Sequence, residues 1–272
     1  MPKKILLLAL TLVLLTSSAA LAAEMGGSYY FIKKGMFEVS LQGTYVNEAK
    51  LKQTDSGGAT YLAPREDVKI KEDKQMGAIV AYGLHDRLNV WVELGAAYDG
   101  RLSGSARIPG TSTYGQTEST LGTVFAWAVG IKGKLYEHKK GFGLAAAMRY
   151  YRYDDRKAED WTVTDTGTSF ANMTTDAKFS YWQFEGSVSA YWKFKRFVPY
   201  FGVKYAYAEG DLSGTWRQSG VGSGGLGQNY EPEQQLGMFA GFDFHFYKHW
   251  RINVQADFYS DTAIIVGGSY VF

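Results

Sequence analysis

The sequence predicts an all-β chain folded as a transmembrane antiparallel up-and-down barrel of about ten strands. Three observations predict it: hydrophobicity alternates with period two in segment after segment, Tyr, Phe and Gly dominate the composition, and the connections alternate between short and long.

The alternation is clearest from Leu88 to Tyr98. Leu88, Val90, Val92, Leu94, Ala96 and Tyr98 share one face, while Asn89, Trp91, Glu93, Gly95 and Ala97 share the other. Phe125, Trp127, Val129 and Ile131 likewise oppose Ala126, Ala128, Gly130 and Lys132. Trp182, Phe184, Val188 and Ala190 oppose Gln183, Glu185, Ser187 and Ser189, and Met238, Ala240, Phe242 and Phe244 oppose Gly237, Gly241, Asp243 and His245. Helical spacing would scatter these sets around an axis, so the segments are strands. Ten are expected: 35–47, 68–83, 88–99, 121–136, 142–153, 178–193, 197–208, 234–246, 250–259 and 263–272. Tight turns join them near Leu84–Arg87, Glu137–Gly141, Phe194–Arg196 and Tyr247–His249, with a further short link at Ser260–Thr262. Long polar loops are expected over 48–67, 100–120, 154–177 and 209–233, which puts the tight turns on the periplasmic side and the long loops outside the cell.

The apolar face carries too many large side chains to fit a small bore, and the opposite face mixes Gly, Ala and Ser with isolated charges. The apolar face therefore meets lipid. Outward aromatics gather at both strand ends, with Tyr98, Tyr150, Trp182 and Tyr207 on the loop side. Phe37, Tyr82, Phe142, Trp192 and Phe272 lie on the turn side, and together they form two interfacial girdles.

Composition closes off other classes. The 272 residues include no cysteine, so neither disulfides nor thiolate metal clusters can form. With 29 Lys+Arg against 27 Asp+Glu there is no basic excess of the kind nucleic-acid binding needs. Residues 1–23 form a cleaved secretory signal peptide: Lys3 and Lys4, the apolar run Ile5–Leu15, and an A-x-A site at Ala20-Leu21-Ala22. Its loss removes two lysines and leaves a near-neutral mature barrel domain, 24–272. No later run is apolar enough for a spanning helix.

The last strand ends on Phe272, with Tyr270, Gly268, Val266 and Ile264 alternating before it. This resembles the C-terminal signal of bacterial outer-membrane β-barrel proteins, and Gly83–Leu88 resembles their periplasmic turns. The resemblance implies outer-membrane localisation, insertion by the barrel-assembly machinery, and contact with outer-membrane lipid and lipopolysaccharide. Small surface-antigen or opacity-type barrels are the nearest comparison, although those typically have eight strands against the ten counted here. No appended peptidoglycan-binding domain is expected after Phe272.

Candidate functional residues lie on the bore face. The register points Glu38, Glu93, Glu185, Asp243 and Asp257 inwards, with Lys132, Lys134, Arg149, Lys193, Lys204 and Arg251 as partners. Gln42, Gln183, Asn253 and Gln255 extend the network. Charges in a narrow bore are costly unless paired, so a salt-bridged plug is expected. The alternative is a narrow channel whose charges select ions or small solutes.

Several motifs carry less weight. Gly222-Ser223-Gly224-Gly225-Leu226-Gly227 matches G-x-G-x-x-G but opens no helix, and it reads as flexible loop. Asp165-Thr166-Gly167 and Asp55-Ser56-Gly57 lack the shared-proton geometry of an aspartic protease. His85, His138 and His249 fall at turns, and His245 near the turn end of its strand; neither a zinc site nor a cofactor is expected. The mixed-charge stretch Asp154–Asp176 reads as a solvated loop, with divalent-cation or lipopolysaccharide contact as its functional alternative, and the aromatic, Gly-rich stretch Ser213–Tyr230, with Trp216, as a loop open to a surface partner. The expected function is non-enzymatic: a structural or surface-interaction role through long loops and an extracellular partner. A hydrolase at the outer rim ranks third.

Overall fold

A strand crossing hydrocarbon can satisfy its backbone N–H and C=O groups only on neighbouring strands, so the sheet must close. The computed structural model describes residues 31–54, 63–107, 114–164, 173–218, 222–258 and 261–272; the segment expected as a signal peptide, 1–23, lies outside them. Thirteen antiparallel strands run in chain order. They are β1 (Phe37–Gln53), β2 (Glu66–His85), β3 (Leu88–Tyr98), β4 (Gly100–Arg107), β5 (Tyr114–Leu121), β6 (Val124–Glu137) and β7 (Phe142–Thr164). Then follow β8 (Met173–Trp192), β9 (Phe197–Gln218), β10 (Gly222–Pro232), β11 (Leu236–His245), β12 (Trp250–Phe258) and β13 (Asp261–Val271).

Their pairing makes two stacked rings. The inner tier closes ten strands in the order β1-β2-β3-β6-β7-β8-β9-β11-β12-β13, with β13 returning to β1. These are the ten strands the alternation predicts. Above them β1, β2, β7, β8 and β9 continue, the hairpin β4–β5 replaces β3 and β6, and β10 replaces β11, β12 and β13. The outer tier is therefore a closed ring of eight strands.

This corrects the expectation of long loops. Much of 48–67, 100–120, 154–177 and 209–233 is paired strand, and the glycine-rich Gly222–Gly227 is part of β10. Asp165-Thr166-Gly167 and Asp55-Ser56-Gly57 lie outside the described residues. The misreading has a physical cause. Bulges interrupt the alternation where the tiers meet, between Val46 and Glu48 and between Tyr153 and Arg156, and within the outer tier, between Glu66 and Lys69 and between Glu118 and Thr120. Asp67 and Asp155 at these bulges, Glu72 opposite the first of them and Asp99 between β3 and β4 take positive φ near 50°. On β7 the buried face runs through Tyr151 and Tyr153, then changes parity to Arg156 and Ala158.

The tiers have opposite polarity. Outside the inner tier, Leu41, Val80, Leu94, Phe125, Phe201, Val203 and Ile264 are exposed. A band of that kind is unsustainable in water and suits hydrocarbon. Aromatics border it. Trp127, Tyr150, Trp182 and Tyr207 form a chain with ring centroids 5.5, 6.1 and 5.4 Å apart on the outer side. Phe37–Tyr82, Phe142–Trp192 and Trp250–Tyr270 pair at 4.7, 5.7 and 5.0 Å on the turn side. Inside the outer tier, by contrast, Leu102, Leu121, Phe179, Leu212 and Tyr230 are fully buried.

Bulky rings in the inner bore lie over glycines. Trp91 covers Gly130, where an added Cβ would stand 2.3 Å from Trp91 Cζ2, and Tyr191 covers Gly143 in the same way. At the turn end, residues 31–36 fold back under the bore. The Gly35 amide donates to the Gly83 carbonyl at 2.8 Å, and the Lys34 amide donates to Asp86 Oδ1 at 3.0 Å. That amide holds the Asp86 carboxyl below the usual carboxylate range. Phe31 and Ile32 are buried.

Gly130→Ala should lower stability by about 1–3 kcal/mol through overpacking against Trp91. The unfolding midpoint of the refolded barrel in urea measures it, and an unchanged midpoint would show that the ring can step aside.

Candidate functional site

The pleat sends every second side chain of ten inner-tier strands into one narrow space, so polar bore residues must pair with each other or be hydrated. The sequence-predicted set is found there. Glu38, Glu93, Lys132, Arg149, Glu185, Lys204, Asp243, Arg251 and Asp257 are buried, while Lys134 and Lys193 are half-buried at the turn-end mouth. The C-terminal residues Ile264, Val266, Gly268, Tyr270 and Phe272 lie on the lipid face of β13 and at its end, with Phe272 donating its amide to the Phe37 carbonyl at 2.9 Å.

The charges form layers. At the mouth, Lys193 Nζ is 2.6 Å from Glu137, which also meets Lys134, and Lys132 and Lys134 stand 5.7 and 5.2 Å from the Phe31 ring. One step inwards, Arg251 Nη1 donates to Glu38 Oε2 at 2.7 Å. Beside it Asn253 Nδ2 donates to Asp243 at 2.7 Å and to the Tyr200 hydroxyl at 2.8 Å, and that hydroxyl donates to Gln255 at 3.1 Å. Mid-bore, Arg149 Nη2 meets Glu93 at 3.0 Å and stacks over Tyr151 at 4.6 Å.

Lys204 stands among three carboxylates: Asp257 in direct contact, Asp261 at 2.9 Å and Glu185 at 3.7 Å. Gln255 and Gln183 donate to Asp257 and Glu185 at 2.7 and 3.3 Å. Where the tiers meet, Arg156 is wholly buried: Nη1 meets Asp73 at 2.6 Å and Nε donates to the Gly122 carbonyl at 2.7 Å. A cavity of about 60 Å³ opens here, bounded by Leu51, Ile70, Tyr153, Tyr181, Glu185 and Asp261.

Sequence reasoning missed Asp73–Arg156, Asp261, Glu137 and the Phe31 plug. Asp73 shares strand parity with Gly77 and Ala81, which was a usable signal. Arg156 was hidden by the bulge at Asp155. Trp216 and Tyr230, expected in an exposed loop, face the outer-tier interior instead; the Tyr230 hydroxyl donates to the Pro64 carbonyl at 3.0 Å, and burial pushes its pKa well up. The mixed-charge stretch pairs its charges on the outside, along β7 through Arg152–Asp154 at 2.7 Å and across to β8 through Lys178–Asp155 at 3.0 Å. Among the described residues no group of three or more His, Asp or Glu is arranged for a metal ion.

No family model matches the chain, and no curated protein does. Solved structures do resemble it. The outer membrane protein OprG from Pseudomonas aeruginosa is 12% identical, with 90% of this chain and 99% of that chain covered and a TM-score of 0.42. The outer membrane protease OmpT from Escherichia coli is 10% identical, with 88% and 97% covered and a TM-score of 0.46. Ail, the attachment invasion locus protein of Yersinia pestis, is 9% identical, with 87% and 99% covered and a TM-score of 0.33.

Breaking one buried pair tests the bore. Arg149→Ala should strand Glu93 and cost about 3–5 kcal/mol, and Lys204→Met, which leaves three carboxylates facing each other, should cost at least as much. Urea midpoints in detergent measure both; midpoints equal to the parent's would mean that these charges are hydrated, not paired.

A closed antiparallel ring with an apolar exterior, two aromatic borders and a polar bore is the architecture of a bacterial outer-membrane β-barrel protein.

Proposed function

We propose that the barrel is non-enzymatic and does not conduct, and that its function lies in contacts made by the outer tier at the cell surface. The observation that carries this reading is the apolar packing across the outer tier. Leu102, Leu121, Phe179, Leu212 and Tyr230 are fully buried where an outward path would have to run. Ions do not cross such packing without a large desolvation cost. The paired bore charges below, and Phe31 in the turn-end mouth, support a plug in series with that core.

The outer face is patterned for contact with polar surroundings. Lys52–Glu231, Lys69–Glu48 and Arg101–Glu72 span neighbouring strands at 2.9, 3.2 and 3.0 Å, at the height where lipopolysaccharide or an extracellular partner would lie. The final strand suits recognition by the barrel-assembly machinery during insertion. Against catalysis stands the placement of imidazole: all four histidines lie at the turn end, far from the outer rim. A second reading, a narrow path for small cations, is favoured by the cavity beside Glu185 and Asp261.

Insertion of the refolded mature chain into a planar bilayer should give no unitary current at any holding potential. Stable, ion-selective steps with confirmed single insertions would overturn the plug and support the second reading. In that case Glu185→Gln should change the selectivity of those steps.

A further inference from the structure

The turn end of the barrel is strongly basic. Each connection there supplies exposed cations: Lys34 before β1, Arg87 between β2 and β3, Lys139 and Lys140 between β6 and β7, Arg196 between β8 and β9, and Lys248 between β11 and β12. Asp86 and Glu137, the carboxylates set against them among these turns, stay ionised but are outnumbered by the exposed bases. Asp86 accepts the Lys34 amide at 3.0 Å, and Glu137 sits between Lys134 and Lys193. The outer tier is arranged differently, since its bases meet carboxylates across the strands, as in Lys69–Glu48 and Lys178–Asp155 at 3.2 and 3.0 Å.

Each of the same four turns also exposes an apolar or aromatic side chain. Leu84 is 47% exposed, Tyr136 48%, Phe194 53% and Tyr247 67%. The bases therefore stand one to four residues from side chains that seek the membrane interface, just beyond the girdle pairs Phe37–Tyr82 and Phe142–Trp192. That depth is the depth of lipid phosphates.

We propose that this rim is a binding ring for anionic phospholipid headgroups of the leaflet facing the turns. Charge complementarity favours phosphate, and two features favour lipid over a soluble anion. The cations are spread around the whole circumference, whereas a docked macromolecule would call for a patch concentrated on one side. They also alternate with interfacial anchors, so an annulus of lipids can meet them without lifting acyl chains from the hydrocarbon. A basic group near an anionic surface changes occupancy by about fivefold. Several acting on one annulus give a measurable lipid preference.

The test uses the refolded mature barrel in phosphatidylcholine vesicles carrying a small fraction of spin-labelled phosphatidylglycerol or spin-labelled phosphatidylcholine. Motionally restricted lipid at the protein surface is then quantified by electron spin resonance. Phosphatidylglycerol should be preferred about fivefold or more at low salt, and the preference should collapse in 1 M salt, where the Debye length falls to about 3 Å. K139Q/K140Q/R196Q/K248Q should abolish most of the preference, while R101Q/K178Q in the outer tier should leave it intact. Equal association of the two lipids at low salt overturns the proposal, as does a preference that salt does not reduce. Binding of soluble polyglutamate to the inserted barrel, with no lipid preference, would assign the ring to an acidic soluble partner instead.

Discussion

Closure of the backbone hydrogen-bond ring is the constraint on which everything else depends. Each unpaired amide or carbonyl in hydrocarbon costs several kcal/mol, so a spanning sheet with an edge is not an available state. The seam is made by the first and last strands: β13 pairs with β1 from Glu38–Val271 to Ala49–Asp261, and the Phe272 amide continues it to Phe37. The ring therefore cannot close until β13 is in place. Fixing β1 against both β2 and β13 also fixes which of its residues face the bore, since a slip of one residue would send Glu38 and Gln42 into lipid.

Above the membrane the same strands meet water on the outside, and the polarity requirement reverses. A strand cannot reverse its polarity while keeping strict alternation unless its sequence changes character or its backbone shifts phase. Both occur here. β8 and β9 keep their parity, and the bore face changes from Glu185, Gln183 and Lys204 to Phe179, Leu212 and Trp216. β1, β2 and β7 shift phase at bulges, and β3 and β6 give way to the separate hairpin β4–β5. Arg156 reaches from the shifted part of β7 to Asp73 and to the carbonyls of Leu121 and Gly122, and so ties that boundary together.

This division explains how much was legible. Within the membrane, lipid imposes one rule on every strand, and ten segments, their facing and their bore charges could be read from alternation alone. The outer tier obeys no single rule. Acidic residues at the bulges, such as Asp67 and Asp155, look like loop residues, and β10 is so rich in glycine that it looks flexible. Its pairing partners lie on β9 and, more distantly, on β1, a closure that no local pattern announces. Lys204 was legible as an inward base, but Asp261 falls in the link expected at 260–262, although it shares the parity of the buried Ala263 and Ile265 of β13. Phe31 was illegible for a similar reason, because the plug precedes the first strand and is defined by what it touches: Lys132 and Lys134, about a hundred residues away.

Overall charge misleads for a related reason. The sequence is nearly balanced, 29 bases to 27 acids, and a balanced composition argues against any strongly charged surface. Alternating short and long connections nevertheless send consecutive stretches to opposite ends of the barrel. The bases of the short turns collect on one rim, while the acids of the strand extensions collect on the other, where lysines and arginines from neighbouring strands meet them. Screening in water limits each rim to its near surroundings, so the two act independently. The outer rim is largely self-neutralised and presents mixed polarity to whatever it touches. The inner rim keeps uncompensated cations at headgroup depth, where the medium is less polar than water and an anion is correspondingly more strongly held.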